Sequence, residues 1–433
     1  MENAVEVDQK PNWILAVLVA LFASTSWLSL SSFWVEQGIH TQILPEGWQL
    51  GATLTIIIQI SALLGLAYTI IENCTNIKPK TAPIILVSLI VLCLTIIPIG
   101  FYNEVTVEIA GKQRSIVLYT GMFFAGGLAI LSDMLFIPYM KNLPEIYFQA
   151  YFFGVGLSNL VPSILSVIQD ASTYDCVPAP KSLELVPKFS HLRYSVSTFY
   201  TIIFLWCCLG TAAFLLIHFG RKRIDKLWYG SSVHSVSTDE NIIVVTKKLR
   251  SKYNEDALLN DKKDYIVMIL LGLVSGQINV FLPSLQSFVV LPYSSKTYFW
   301  SLAIGSALSP FSAVVAHIFP ILKLKLLTLF TVITTVASAI CLIIALHSPY
   351  PWLHETKIGS VLIILLTMTV YFVGHYCRNM LFEVIRRTST NEDLKHRRLV
   401  FGGFAGQVGC LLATIIIFPT INIFELFKSV PPC

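Results

Sequence analysis

Glu36, Gln59, Asp133, Asn159, Asn279 and Gln286 interrupt runs otherwise built of Ile, Leu, Val and Phe. A polar side chain in apolar surroundings is costly unless it is partnered, and it usually faces a cavity or a second such group. Amides offer donors and acceptors together, and carboxylates accept hydrogen bonds or take up a proton. That is the chemistry of non-covalent recognition, with proton coupling as an option. The sequence has no Gly-rich phosphate loop and no Ser/His/Asp or Cys/His grouping, and its nine Cys lack metal-ligand spacing. Catalysis, a resident cofactor and a metal are therefore not expected.

Each candidate has two readings. Glu36 follows Trp34 at the outer end of the first apolar run. It is an acceptor for a solute, a protonation site, or an interfacial carboxylate at a helix end. Gln59, in the middle of the second run, reads a solute or ties two helices together. Asp133 is a formal charge deep in a long run, ahead of Pro138-Tyr139, and it either titrates with transport or meets water near a helix end. Gly154, Gly156, Ser158, Asn159 and Pro162 suggest a kinked helix lining a cavity. Gln277, Asn279, Pro283, Ser284 and Gln286 in GQINVFLPSLQSF suggest a broken helix with freed carbonyls. Tyr139 and Phe281 have faces on which a flat ring can stack. His317 and His375 read as structural, and Gly402, Gly403, Gly406 and Gly409 read as helix-packing residues.

The elements that must position these groups are membrane helices. Of 433 residues, 55% are hydrophobic and only 13% charged, with mean hydropathy +0.70. Runs of this length suit helices crossing a hydrocarbon layer, not barrel strands. Eleven runs qualify, at about 13–33, 47–71, 81–102, 115–139, 146–169, 194–219, 265–290, 297–320, 326–347, 358–377 and 399–418. The first is too long for a signal-peptide core and follows an acidic segment, so it is read as a span. With the N-terminus cytoplasmic, 22 of the 30 Lys and Arg lie inside and 8 outside, all beyond the spans. The C-terminus then lies outside. The reading is a cytoplasmic segment 1–12, six helices over 13–220, a basic cytoplasmic linker 221–264, and five helices over 265–433. The Asn73-Cys74-Thr75 sequon falls in a cytoplasmic turn and is expected to be unused. Cys176 and Cys433 both fall outside, where they either pair or remain thiols. The net charge of +5 does not point to nucleic acid, and no oligomeric state is specified.

WLSLSSFWVE, LPEGWQL and IIIQI in the first two spans resemble the eukaryotic riboflavin transporter family. So do FIPYMKNLP, FFGVGLSNLVP, FLPSLQSF and FGGFAGQVGCLLATIIIFPTIN further on, and the resemblance runs nearly end to end. It departs from vertebrate members at Ser31, Gln37, Gly38, Ala129 and Val155. It implies a plasma-membrane carrier of riboflavin working by alternating access. The fold expected is all-α, eleven helices in a 6+5 two-bundle arrangement of the major-facilitator or equilibrative-nucleoside-transporter kind. Trp34, Glu36, Gln59, Tyr139, Asn159, Asn279 and Gln286 are the implied solute contacts, with Glu36 and Asp133 as proton-coupling groups. The rivals are a nucleoside carrier and a membrane receptor without flux. The partners implied are riboflavin and the lipid bilayer.

Overall fold

The computed structural model describes residues 12–74, 80–109, 111–140, 146–178, 185–189, 191–229, 261–354, 356–388 and 392–433. The N-terminal segment, Thr75 of the sequon and positions 230–260 of the linker lie outside the described residues. Ten helices are long and apolar enough to cross a membrane, and a bent pair makes an eleventh.

That bent pair corrects the reading of the first run. Helix α1 (Trp13–Ser24) is capped by Asn12, whose Oδ1 accepts from the N–H groups of Ile14 and Leu15. It stops at a hydroxyl cluster. Ser24 Oγ donates to Leu21 O at 2.8 Å, and Thr25 Oγ1 donates to Phe22 O at 2.7 Å. Such bonds compete with the helical ladder. The chain turns by 54° and resumes as α2 (Leu28–Ile43). The span thus ends at residue 43, ten residues beyond the expected 33. Glu36, Gln37, His40, Thr41 and Gln42 are polar but buried against other helices, so lipid never meets them.

After a 3₁₀ turn (Gly47–Gln49) come α3 (Leu50–Cys74), α4 (Thr81–Tyr102), the hairpin β1 (Val107–Ile109) and β2 (Lys112–Arg114), and α5 (Ile116–Met140). Then follow α6 (Ile146–Gln169), the hairpin β3 (Asp175–Pro178) and β4 (Leu185–Lys188), and α7 (Val196–Tyr229). Helix α5 runs unbroken through Pro138, and α7 continues past the expected boundary at 220. The second part holds α8 (Asp261–Gly276), a π segment (Gln277–Phe281), α9 (Leu282–Val290), α10 (Ser295–Ile318), α11 (Leu324–Leu346), α12 (Lys357–Thr388) and α13 (Glu392–Asn422). The expected break in GQINVFLPSLQSF is therefore a widened turn within a continuous helix. A π turn absorbs the missing N–H of Pro283 without opening the chain.

Two core clusters, one around Phe33, Leu54 and Tyr200 and one around Phe22, Phe136 and Phe214, join α1 to α7. A third joins α8 to α13 and takes in Trp48 and Ala52 from the first part. Arg398 bridges to Asp264 at 2.7 Å, tying α13 to α8. These two helices also meet backbone to backbone. A Cβ on Gly276 would lie 2.8 Å from Gly409 O, and one on Gly409 would overlap Gly272 O. Gly403, on the same helix, has nothing within 4 Å. Gly409→Ala should therefore cost about 1–3 kcal/mol through forced separation of α8 and α13, seen as an earlier unfolding midpoint in detergent. Gly403→Ala should show no such loss.

Candidate functional site

Helices α2 and α3 of the first part face α9, α10 and α13 of the second. One end of this interface is shut. Trp48 packs edge-on against Phe288 at 5.8 Å, and Phe427 of the tail backs Phe288 at 5.5 Å. Deeper, Thr55 Oγ1 and Ser284 Oγ share a hydrogen at 2.9 Å, Thr41 Oγ1 lies 3.4 Å from the Tyr298 hydroxyl, and Thr53 donates to Asn422 at 3.3 Å. The backbones of α3 and α9 touch where Gly51 leaves no room for a Cβ beside Pro283 O. Gln286 lies in this layer and is fully engaged. Its Nε2 donates to Ser301 Oγ at 3.1 Å and its Oε1 accepts from the Tyr371 hydroxyl at 2.9 Å.

One turn further along stand two amides of the sequence reading. Gln59 follows Thr55 by four residues and shares its face, and Asn279 precedes Ser284 by one π turn. The two amides thus stand at one depth on facing helices, and both are half-buried. Asn279 Nδ2 contacts Cys410 Sγ of α13 at 3.8 Å. On α6, Gly156 meets Pro310 of α10, and Asn159, three residues on, accepts from Ser31 Oγ of α2 at 2.5 Å. The break in the first span swings Trp27 toward α5, where its Nε1 donates to Asp133 Oδ1 at 3.1 Å. Asp133 is exposed.

Opposite Asp133 stands Arg378 of α12, close enough to act electrostatically on Asp133, His375 and Cys410. Its guanidinium is half-buried and forms no hydrogen bond or close ion pair among the described residues. Read as the start of a cytoplasmic loop, Arg378 instead lies inside a helix that continues to Thr388. It and Trp27 are the two residues of the hollow that the sequence did not single out. Their signals were a charge ten residues before the helix end and an aromatic ring beside a hydroxyl run.

The other predicted residues lie elsewhere. Glu36 is not at a membrane mouth; it is 1% exposed, beside the Gln169 amide and near Tyr194 and Tyr200. Neither of its oxygens, nor the Gln169 amide, has a partner in hydrogen-bond geometry among the described residues. His40, one turn on, reaches the Tyr200 hydroxyl at 3.3 Å. Trp34 is half-buried against the core of the first part. Tyr139 sits among Phe22, Phe214 and His218, away from the second part. Cys176 and Cys433 form a disulfide with Cα atoms 5.8 Å apart. Glu46 of LPEGW, unassigned from sequence, accepts from Ser115 N–H and Oγ at 2.8 Å each and from the Tyr119 hydroxyl at 2.6 Å. It fixes the turn before α3 to the start of α5.

The sequence model of the family described as Solute carrier family 52, riboflavin transporter, matches residues 11–429. Riboflavin transporter rft-1 of Caenorhabditis elegans is 30% identical, covering 96% of this chain and 98% of its own. Member 3 of the same solute carrier family from Homo sapiens is 26% identical over 97% of this chain and 98% of its own. Among solved structures, a D-xylose–proton symporter superposes with TM-score 0.53 at 13% identity, over 95% of this chain and 90% of that one. A POT family transporter in complex with 5-aminolevulinic acid gives 0.55 at 13% identity, over 95% and 91%. The fold is that of major-facilitator-type transporters.

Gln59 and Asn279 are half-buried, whereas Thr55 is 1% exposed. With a cysteine at Gln59 or Asn279, a polar maleimide applied at the Arg378 side should react at least about tenfold faster than with one at Thr55. Mass spectrometry of purified protein reads the difference.

Proposed function

The chain belongs to solute carrier family 52, the riboflavin transporters, and on that premise we propose that riboflavin binds in the hollow lined by Trp27, Gln59, Asp133, Asn159, Asn279 and Arg378. The chain is a membrane carrier for riboflavin uptake. What supports this site is that polar side chains of both parts, Asn159 with Ser31 and Asn279 with Cys410, lie near an interface whose other end is closed by Thr55 and Ser284.

Riboflavin is a flat tricyclic ring with an imide edge and a ribityl chain of hydroxyls. Gln59 and Asn279, at one depth, offer the paired donors and acceptors that an imide edge requires. Asn159 with Ser31, and Asp133, suit hydroxyls. Arg378 suits a carbonyl edge or the ring face, since a guanidinium both donates and stacks. No covalent step is involved and no cofactor is needed. The two parts rock about the hollow, and opening the layer of Trp48 and Thr55 admits solute from the other face.

In this reading the sealed layer faces outward, the N-terminus is cytoplasmic and the carrier sits in the plasma membrane. The excess of 22 basic residues over 8 supports that orientation. Glu36 and Asp133 are the carboxylates inside the spans that can couple transport to protons. The remaining predicted contacts, Trp34, Tyr139 and Gln286, serve the fold around the hollow.

Uptake of labelled riboflavin into cells expressing the chain tests the site. Asn279→Ala and Gln59→Ala should each raise KM about tenfold, the loss of roughly one net hydrogen bond, with surface expression unchanged. Arg378→Lys should not restore what Arg378→Ala loses, because an ammonium cannot stack. Unchanged KM in all of these would remove the hollow from consideration. Lumiflavin should compete with uptake and uridine should not; accumulation itself separates a carrier from a receptor.

A further inference from the structure

The residues after α13 do more than follow it. Leaving α13 at Asn422, positions 423–433 cross the sealed face of the interface and finish on the first part. The path has five anchors. Glu425 approaches Lys112 of β2 at 3.9 Å, an exposed pair. Phe427 drops from the surface to 6% exposure, against Phe288 of α9. Lys428 O accepts from Ser348 Oγ at 2.8 Å, beyond the end of α11. Pro432 O accepts from the Tyr174 hydroxyl at 2.9 Å, and Cys433 is bonded to Cys176 of β3. Ile423, Phe424 and Leu426 are all exposed, so burial of Phe427 is local and specific.

We propose that this tail is a covalent strap across the outer mouth, and that Phe427 is a gating residue which must leave its seat each time the mouth opens. The strap is rooted in the second part and bonded to the first, so any parting of the two lengthens its path. Eleven residues reach at most about 36–40 Å when extended, enough to permit opening once slack is released. The segment able to give it is the docked stretch holding Phe427 and Lys428. Parting also separates Trp48 from Phe288, the same ring that Phe427 backs, so seal and plug come undone together. Strap and seal thereby favour the state in which the hollow faces inward. This goes beyond substrate recognition but uses the orientation proposed above.

The test needs no riboflavin. A reporter cysteine replaces Ser287, which is fully buried in the sealed layer, and a membrane-impermeant maleimide is applied to intact cells. The parent chain without the reporter corrects for other cysteines. A protease site inserted after Val430 lets the strap be cut on carriers already folded and at the surface, so misfolding does not intrude. Cutting should speed reporter labelling by about 5- to 10-fold as the outward-open population rises. Phe427→Ala, with the disulfide intact, should do the same, and Phe427→Leu should do so less. Unchanged labelling after cutting overturns the strap. Faster labelling after cutting but none with Phe427→Ala overturns the gating role of the ring. Mild reduction followed by the same reagent should label Cys433; failure there shows that the tail faces the cytoplasm and overturns the proposal independently of the solute.

Discussion

Water is absent where most of this chain resides, so each polar group must find its partner inside the protein. That constraint explains why the interface between the two parts is made as it is. Thr55 with Ser284, Thr41 with Tyr298 and Thr53 with Asn422 are single hydroxyl contacts, each at a different helix pair across the interface. Interhelical hydrogen bonds of this kind contribute on the order of 0.6 kcal/mol each within a membrane. A few of them hold a seal closed, yet they leave a barrier that thermal motion and solute binding can cross. Within each part such bonds are joined by larger aromatic and aliphatic cores, by backbone-to-backbone glycine packing of α8 on α13, and by an ion pair at their end. Rigid parts with a weak, polar seam are what a rocking carrier requires.

The first helix of each part is irregular, and both irregularities serve the seam. In the first part, hydroxyls of Ser24 and Thr25 take carbonyls from the ladder, and the span breaks before Trp27. In the second, Gln277 to Phe281 widen into a π turn ahead of Pro283. The break delivers Trp27 to Asp133, and the wide turn leaves Asn279 against Cys410 of α13. Irregular backbone at membrane depth is tolerated where protein or a cavity surrounds it. The surroundings here are buried: Ser24 and Thr25 on one side, Gln277 and Ile278 on the other.

The number of spans was legible because hydropathy measures what lipid requires, and ten of the eleven runs are long, uninterrupted helices. It failed at the first span for the same reason. Positions 36–42 are polar yet sealed inside protein, a state that hydropathy scores as loop. Arg378 was missed in the mirror-image way: a charge was read as the end of a span, although α12 runs on past it into a hollow. Gln59, Asn159 and Asn279 stood out in the sequence because an amide in an apolar run has few reasons to exist. Tyr139 was legible as an aromatic ring in a span, but periodicity does not say whether a helix face looks to its own bundle or to the other one. The proline in GQINVFLPSLQSF signalled trouble in the ladder, and only the fold shows that a single π turn resolves it.

The charges of the hollow bear on what it can hold. Asp133 and Arg378 face it from opposite parts, one formal negative and one formal positive charge. A hollow with a lone guanidinium would favour anions, and one with a lone carboxylate would favour cations. With both present, and amides between them at the depth of Gln59 and Asn279, the site carries no net formal charge while remaining rich in directional donors and acceptors. In the proposed site, a neutral solute with many hydrogen-bonding groups would exchange its water for these partners. A phosphorylated relative of the same ring would bring two charges that a single guanidinium, already opposed by Asp133, cannot balance. On the proposed reading, discrimination by charge follows from the two helices that supply Asp133 and Arg378, and recognition of the ring and its chain from the amides Gln59 and Asn279.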